Sequence, residues 1–126
     1  MRSVVILFLF FINTVEAHEF TPAYPKLRES FIAGVWTTEL KLFNKRQEVE
    51  YYEFGVFDEN WNSVRFATPQ RVEKIPYLTT EIIEFYIKDE DLADAVYICS
   101  TSKIVRVKKL GMTPHVSSRI CSKIKR

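Results

Sequence analysis

Glycine is scarce in this chain: three residues of 126. That is too few for a backbone-lined anion cradle. No glycine-rich phosphate loop, no G-x-S-x-G elbow and no C-x-x-C zinc pair occurs either. Phosphoryl transfer, serine hydrolysis and structural zinc therefore lack their signatures, and no enzyme activity, no cofactor and no nucleic-acid partner are expected. Long apolar runs are nearly absent too. The one present, Val4–Ile12, is nine residues, short of the ~20 that a membrane-spanning helix needs. Beyond residue 17 there is no Asn-x-Ser/Thr sequon, so N-glycosylation is not expected.

That single run reads as the core of an export signal. Arg2 precedes it, and Asn13–Ala17 is a polar exit ending in Val15-Glu16-Ala17, compact residues at the two positions a signal peptidase reads. The expected organisation is a signal peptide over 1–17 and one secreted domain over 18–126, beginning at His18 and large enough for one core. Two cysteines, Cys99 and Cys121, suit an oxidising, extracellular compartment and are expected to form a disulfide if the fold brings them together. Net charge is +2, unevenly placed: Lys103–Arg126 holds eight basic residues and no acidic one. A basic end attracts anionic surfaces such as glycans, phosphates or membranes. It also serves as an edge strand that pairs with an acidic body and resists aggregation.

Period-two burial organises the middle of the chain. In Gly34–Phe43, Trp36, Thr38, Leu40 and Leu42 alternate with Thr37, Glu39 and Lys41, the pattern of a half-buried strand. Val49–Phe57 is dense in aromatics, with a slip between Tyr51 and Tyr52 that suggests a bulge or two-sided burial. Asp58-Glu-Asn-Trp-Asn62 is a turn, and Val64, Phe66 and Thr68 alternate after it, so 35–68 reads as three antiparallel strands. Pro69 and Pro76 bracket a loop. Thr79–Lys88 alternates again, Ala93–Cys99 shares a face, and Lys103–Leu110 makes another strand with Val105 and Val107 inward. Pro25–Gly34 fits a short N-terminal helix or a strand, and Val116, Ile120 and Ile124 fit either spacing. About seven strands at such spacing predict an all-β, small antiparallel β-sandwich with Greek-key connections.

Several residue sets are candidates for chemistry. Glu48, Glu50, Glu53 and Asp58 are candidate paired carboxylates, or simply a solvated strand face. Tyr51, Tyr52, Trp61 and Arg65 are candidates for a binding surface, and Trp36, Tyr52 and Phe54 for the walls of a closed pocket. His18 would carry both a free amine and an imidazole at the mature N-terminus. With His115 it offers three nitrogens, the set that holds copper as a histidine brace. In this respect the chain is similar to small copper carriers and copper-dependent polysaccharide oxidases that begin with histidine.

Two family resemblances follow from short motifs. Ala95-Val-Tyr97-Ile-Cys99 looks like the A-x-Y-x-C end of immunoglobulin strand F, with Trp36 upstream. Glu39–Phe43, Phe54-Gly-Val-Phe-Asp-Glu-Asn60, Val64-Arg-Phe66 and Ile75-Pro-Tyr-Leu78 together resemble the secreted transthyretin-like family. Trp61 stands where that family has a turn glycine, and no His-x-Cys follows Leu78. The resemblance implies a secreted β-sandwich that binds an extracellular protein or a small apolar ligand without catalysis. The copper brace and a lipocalin-like carrier are the competing readings.

Overall fold

The computed structural model describes residues 17–103 and 117–126. The strands are β1 (Glu19–Thr21), β2 (Arg28–Glu29), β3 (Val35–Phe43), β4 (Tyr51–Phe57), β5 (Val72–Lys74), β6 (Thr80–Lys88), β7 (Tyr97–Lys103) and β8 (Arg119–Lys123), with one helical turn, α1 (Asp89–Leu92), between β6 and β7. They form two antiparallel sheets. In the first, β6 lies along the whole of β3, so β1 and β2 share the other side of β3, end to end. The second runs β5-β4-β7-β8. Placing β1/β2, β3 and β6 against β5, β4, β7 and β8 reproduces the A-B-E and C′-C-F-G layers of an immunoglobulin-like Greek key. The expected small β-sandwich is what the chain forms.

Alternation explains where the core sits. Leu40 and Leu42 of β3, Tyr52, Phe54 and Val56 of β4, Ile83, Phe85 and Ile87 of β6, and Ile98 of β7 all point between the sheets and are buried. At the centre three rings meet across both layers. Phe20 and Phe54 lie 6.3 Å from one another, Phe20 and Phe85 6.3 Å, and Phe54 and Phe85 5.8 Å, within the range where edge-on and offset aromatic packing adds to burial. The rings expected to wall a closed pocket do not share one: Tyr52 and Phe54 fill the core, and Trp36 donates its indole N–H to Asp89 at one end of the sandwich. The lipocalin-like interior is thus occupied by the protein's own side chains.

Both flanks are closed by segments that change sheets. On one side, after β1 leaves β3, the carbonyls of Ala23 and Pro25 accept from Lys123 and Lys125 at 2.9 and 2.8 Å, before β2 rejoins β3. On the other, Val64 donates to Val56 of β4, Ala67 exchanges two 2.9 Å bonds with Tyr86 of β6, and Arg71 returns to β4 by accepting from Phe54. Each strap covers open edge on both layers, the usual protection against edge-to-edge pairing.

These straps bear on several expectations. Of the two readings open over 25–34 the helix does not form and the strand does in part, as β2, because the Pro25 carbonyl bonds Lys125, Arg28 and Glu29 pair with β3, and residues 30–35 close as a tight turn (Ser30 N–H to Val35 O, 3.0 Å). The third strand expected at 64–68 is only a pair of isolated bridges at Ser63 and Ala67, while the stretch between Pro69 and Pro76, expected as loop, supplies β5. The slip at Tyr51–Tyr52 makes no bulge; Tyr52, Phe54 and Val56 simply face inward in regular alternation. The chain end is a strand, β8. The strand expected at Lys103–Leu110 lies mostly outside the described residues, with Lys103 itself ending β7.

Candidate recognition surface

The outer face of the second sheet carries the aromatic surface around Trp61. The turn after β4 is built on Asp58, whose carboxylate accepts the backbone N–H groups of Asn60 and Asn62 at 2.8 and 2.9 Å. Those bonds, that from Asn62 foremost, hold the Asp58 carboxyl below its usual range. Trp61 N–H donates to Asp58 O and Asp58 N–H to Asn62 O. So braced, Trp61 sits at φ 65°, a left-handed conformation costly for a bulky side chain. Its indole remains 49% exposed. The ring lies flat on Tyr97 at the start of β7, 4.3 Å away and 7° from parallel.

The neighbours complete a platform. Phe57 approaches Trp61 at 6.2 Å, and its ring folds back over Gly55. A Cβ at Gly55 would meet that ring at 2.8 Å, which is why the position suits glycine. The Arg119 guanidinium of β8 lies over Phe57, 5.0 Å from the ring centre, a favourable cation–π placement. Beside them Cys99 and Cys121, directly opposed on β7 and β8, form the expected disulfide with Cα atoms 4.1 Å apart. Alternation turns Tyr97 and Cys99 away from the interior, since Ile98, Ser100 and Ser102 face the core. The A-x-Y-x-C stretch therefore shares spacing and strand with the immunoglobulin motif but presents the opposite face.

The other candidate residues disperse. Glu48 pairs with Arg46 (2.7 Å), Glu50 with Lys74 (3.7 Å) and Glu53 with Lys103 (3.0 Å), while Asp58 braces its turn, so no two of these carboxylates form an acid–base pair. Tyr52 is in the core, Tyr51 is half-buried at the start of β4, and the exposed Arg65 binds Glu90 and Asp91; of the expected binding set Trp61 alone joins Phe57 and Tyr97. Among the described residues the basic end meets the acidic body in one ion pair, Lys103–Glu53.

His18 is buried. Its Nε2 lies 2.7 Å from Ser100 Oγ and its Nδ1 3.2 Å from Ser118 Oγ, and Tyr52 packs edge-on at 4.7 Å. Burial lowers its pKa from 6.5 to about 4, helped by the Arg46 charge and opposed by the bond to Ser100. An imidazole sealed against two hydroxyls is not presented to a metal, and His115 lies outside the described residues. Among the described residues no three His, Cys, Asp or Glu side chains converge on a metal position.

Sequence reading located Trp61 and its turn but missed Tyr97 and Arg119 as its supports. Their only local signal is strand periodicity; the stack exists because β4, β7 and β8 are neighbours. Comparison with models of known protein families finds no match, and comparison with curated proteins finds none either. Fold and surface define a class, a disulfide-bonded β-sandwich with an exposed aromatic platform. No helix among the described residues is long and apolar enough to cross a membrane.

Proposed function

We propose that this chain is a secreted, non-enzymatic recognition module that docks an extracellular protein on the Trp61 platform. The observation that carries this reading is the held exposure of Trp61: a strained backbone, a bonded turn and a stacking partner keep half an indole in water. Strain of this kind persists only where its surroundings over-determine it, and it clusters at functional positions. Tryptophan, tyrosine and arginine are also the residues that dominate binding energy at protein interfaces. The transthyretin-like motifs support the same role, as do the disulfide and the expected export signal over 1–17. The basic stretch from Lys103 to the end adds attraction toward anionic cell surfaces.

The test is saturable binding of the labelled protein to intact cells. Trp61→Ala is expected to weaken binding at least about tenfold, with the thermal unfolding transition nearly unchanged because the side chain is at the surface. Equal affinity for the variant and the wild type would remove the platform as the docking site.

A further inference from the structure

The straps leave one strand edge uncovered. The paired bonds between Ala67 and Tyr86 show that the N–H and C=O of Tyr86 point away from β3. Strand alternation sends those of Glu84, Ile82 and Thr80 the same way, along the side of β6 opposite β3. Among the described residues no backbone group bonds them. The strap that meets Tyr86 runs antiparallel to β6. Its next position in register, opposite Glu84, is Pro69, which has no N–H to donate, and the strap departs there for Phe54 of β4. A row of bare N–H and C=O groups is a template for one more strand. No lysine or proline blunts this stretch, Thr80-Glu-Ile-Ile-Glu84, and Ile82 at its centre is 55% exposed.

The two ends of this edge are unlike and complementary. Four residues before Ile82, the turn Pro76–Thr79 holds Leu78 out, 59% exposed, with Tyr77 exposed beside it. Leu78 N–H donates to Asn44 O at 2.8 Å and Thr79 N–H to Pro76 O at 3.1 Å. So held, Leu78 sits at φ 59°, a costly conformation for a bulky side chain. Four residues after Ile82, Tyr86 forms with Val35 and Phe66 the apolar part of a half-open cleft of about 410 Å³. Arg65, Lys88 and Asp91 on its lining carry both signs, so what the cleft offers is its apolar wall. A twofold axis through Ile82, normal to the sheet, pairs Ile82 with Ile82 and Thr80 with Glu84 of a second copy. It also carries the Leu78 turn of each copy to the level of the other's cleft. This is the register that engages all three open residues, and it sets Glu84 against a threonine rather than a second carboxylate. We infer that β6 joins two copies of this chain edge to edge into one continuous antiparallel sheet, an isologous contact. The interface is separate from the Trp61 platform, and neither depends on the other.

Sedimentation equilibrium on protein produced from the full chain in an oxidising host tests this. A reversible monomer–dimer equilibrium is expected over roughly 10–1,000 μM, the weak range that suits a small interface. Ile82→Lys, at an exposed position, should raise the dissociation constant at least about tenfold with the far-UV dichroism unchanged. Trp61→Ala should leave the equilibrium as in wild type. The register is read independently with a short bismaleimide: Ile82→Cys should cross-link to a second copy of itself, and Glu59→Cys, on an exposed turn of the other sheet, should not. A chain that stays monomeric to about 1 mM overturns the inference, as does a dimer that Ile82→Lys leaves intact or Trp61→Ala disperses. Cross-linking of Ile82→Cys no faster than that of Glu59→Cys overturns it too. So does a monomer whose β6 edge takes up an extended peptide from another protein, because the edge would then have a different occupant.

Discussion

Asn44, just after β3, has all of its amide capacity used. Its Nδ2 donates to the carbonyls of Val49 and Ile75 at 2.6 and 2.9 Å, and its Oδ1 accepts from Tyr52 Oη and Arg46 N at 2.6 and 2.8 Å. Burial, with the Glu48 charge adding and the Arg46 charge opposing, pushes the Tyr52 phenol up to about 12, so it stays a donor to Asn44. Removing the amide strands several buried partners, each costing roughly 1–3 kcal/mol. Asn44→Ala should therefore lose about 3 kcal/mol or more by urea unfolding, whereas Glu59→Ala on the exposed turn stays within about 0.5 kcal/mol. A midpoint for Asn44→Ala matching that of Glu59→Ala would refute the role. None of this was legible locally. Asn44-Lys-Arg-Gln47 reads as a polar turn, yet Asn44 and Arg46 are buried, because Ile75, Ser102 and Ser118, all remote in the chain, close over groups that the nearby Val49, Glu48 and Tyr52 satisfy only in part.

At the scale of elements, β3, β4 and β6 were readable because each keeps one face toward the core for its whole length. The straps were not. Residues 19–29 and 63–75 bond first one sheet, then the other, so no side-chain period survives in them. The β7–β8 pair depends on a covalent tie as well as on its ladder. Cys99 and Cys121 are separated by 22 positions, and closing a loop of that size contributes about 3 kcal/mol in the chain-entropy account. The double variant Cys99→Ser, Cys121→Ser should lower stability by about that amount while keeping the far-UV dichroism of a β-protein. A loss under about 1 kcal/mol would mean that the ladder alone holds β8.

For the molecule as a whole, His18 couples stability to pH. It joins the N-terminal strap to Ser100 of β7 and to Ser118 just before β8. Its folded-state pKa, about 4, lies below the ordinary 6.5. Between those values the unfolded chain binds the proton and the folded chain does not, so stability is complete above pH 6.5 and falls as pH drops toward 4. The shift corresponds to about 3 kcal/mol in total. His18→Gln, which has no proton to bind there, should flatten the unfolding free energy between pH 6.5 and 4 relative to wild type. Parallel pH profiles for the two proteins would exclude His18 as the source.

By itself the sequence determined that the chain is a small β-sandwich, which stretches make its long strands, and that Trp61 occupies a turn, since these depend on residues two positions apart or on side chains bonding their own backbone. Only the tertiary structure decided the order of the strands, the flanking straps, the burial of His18, Asn44 and Arg46, the stack of Trp61 on Tyr97 and the cleft at Tyr86. Each of these is a meeting between residues remote in the chain. Which distant groups meet is settled by the order of strands in the sheets, not by any local period.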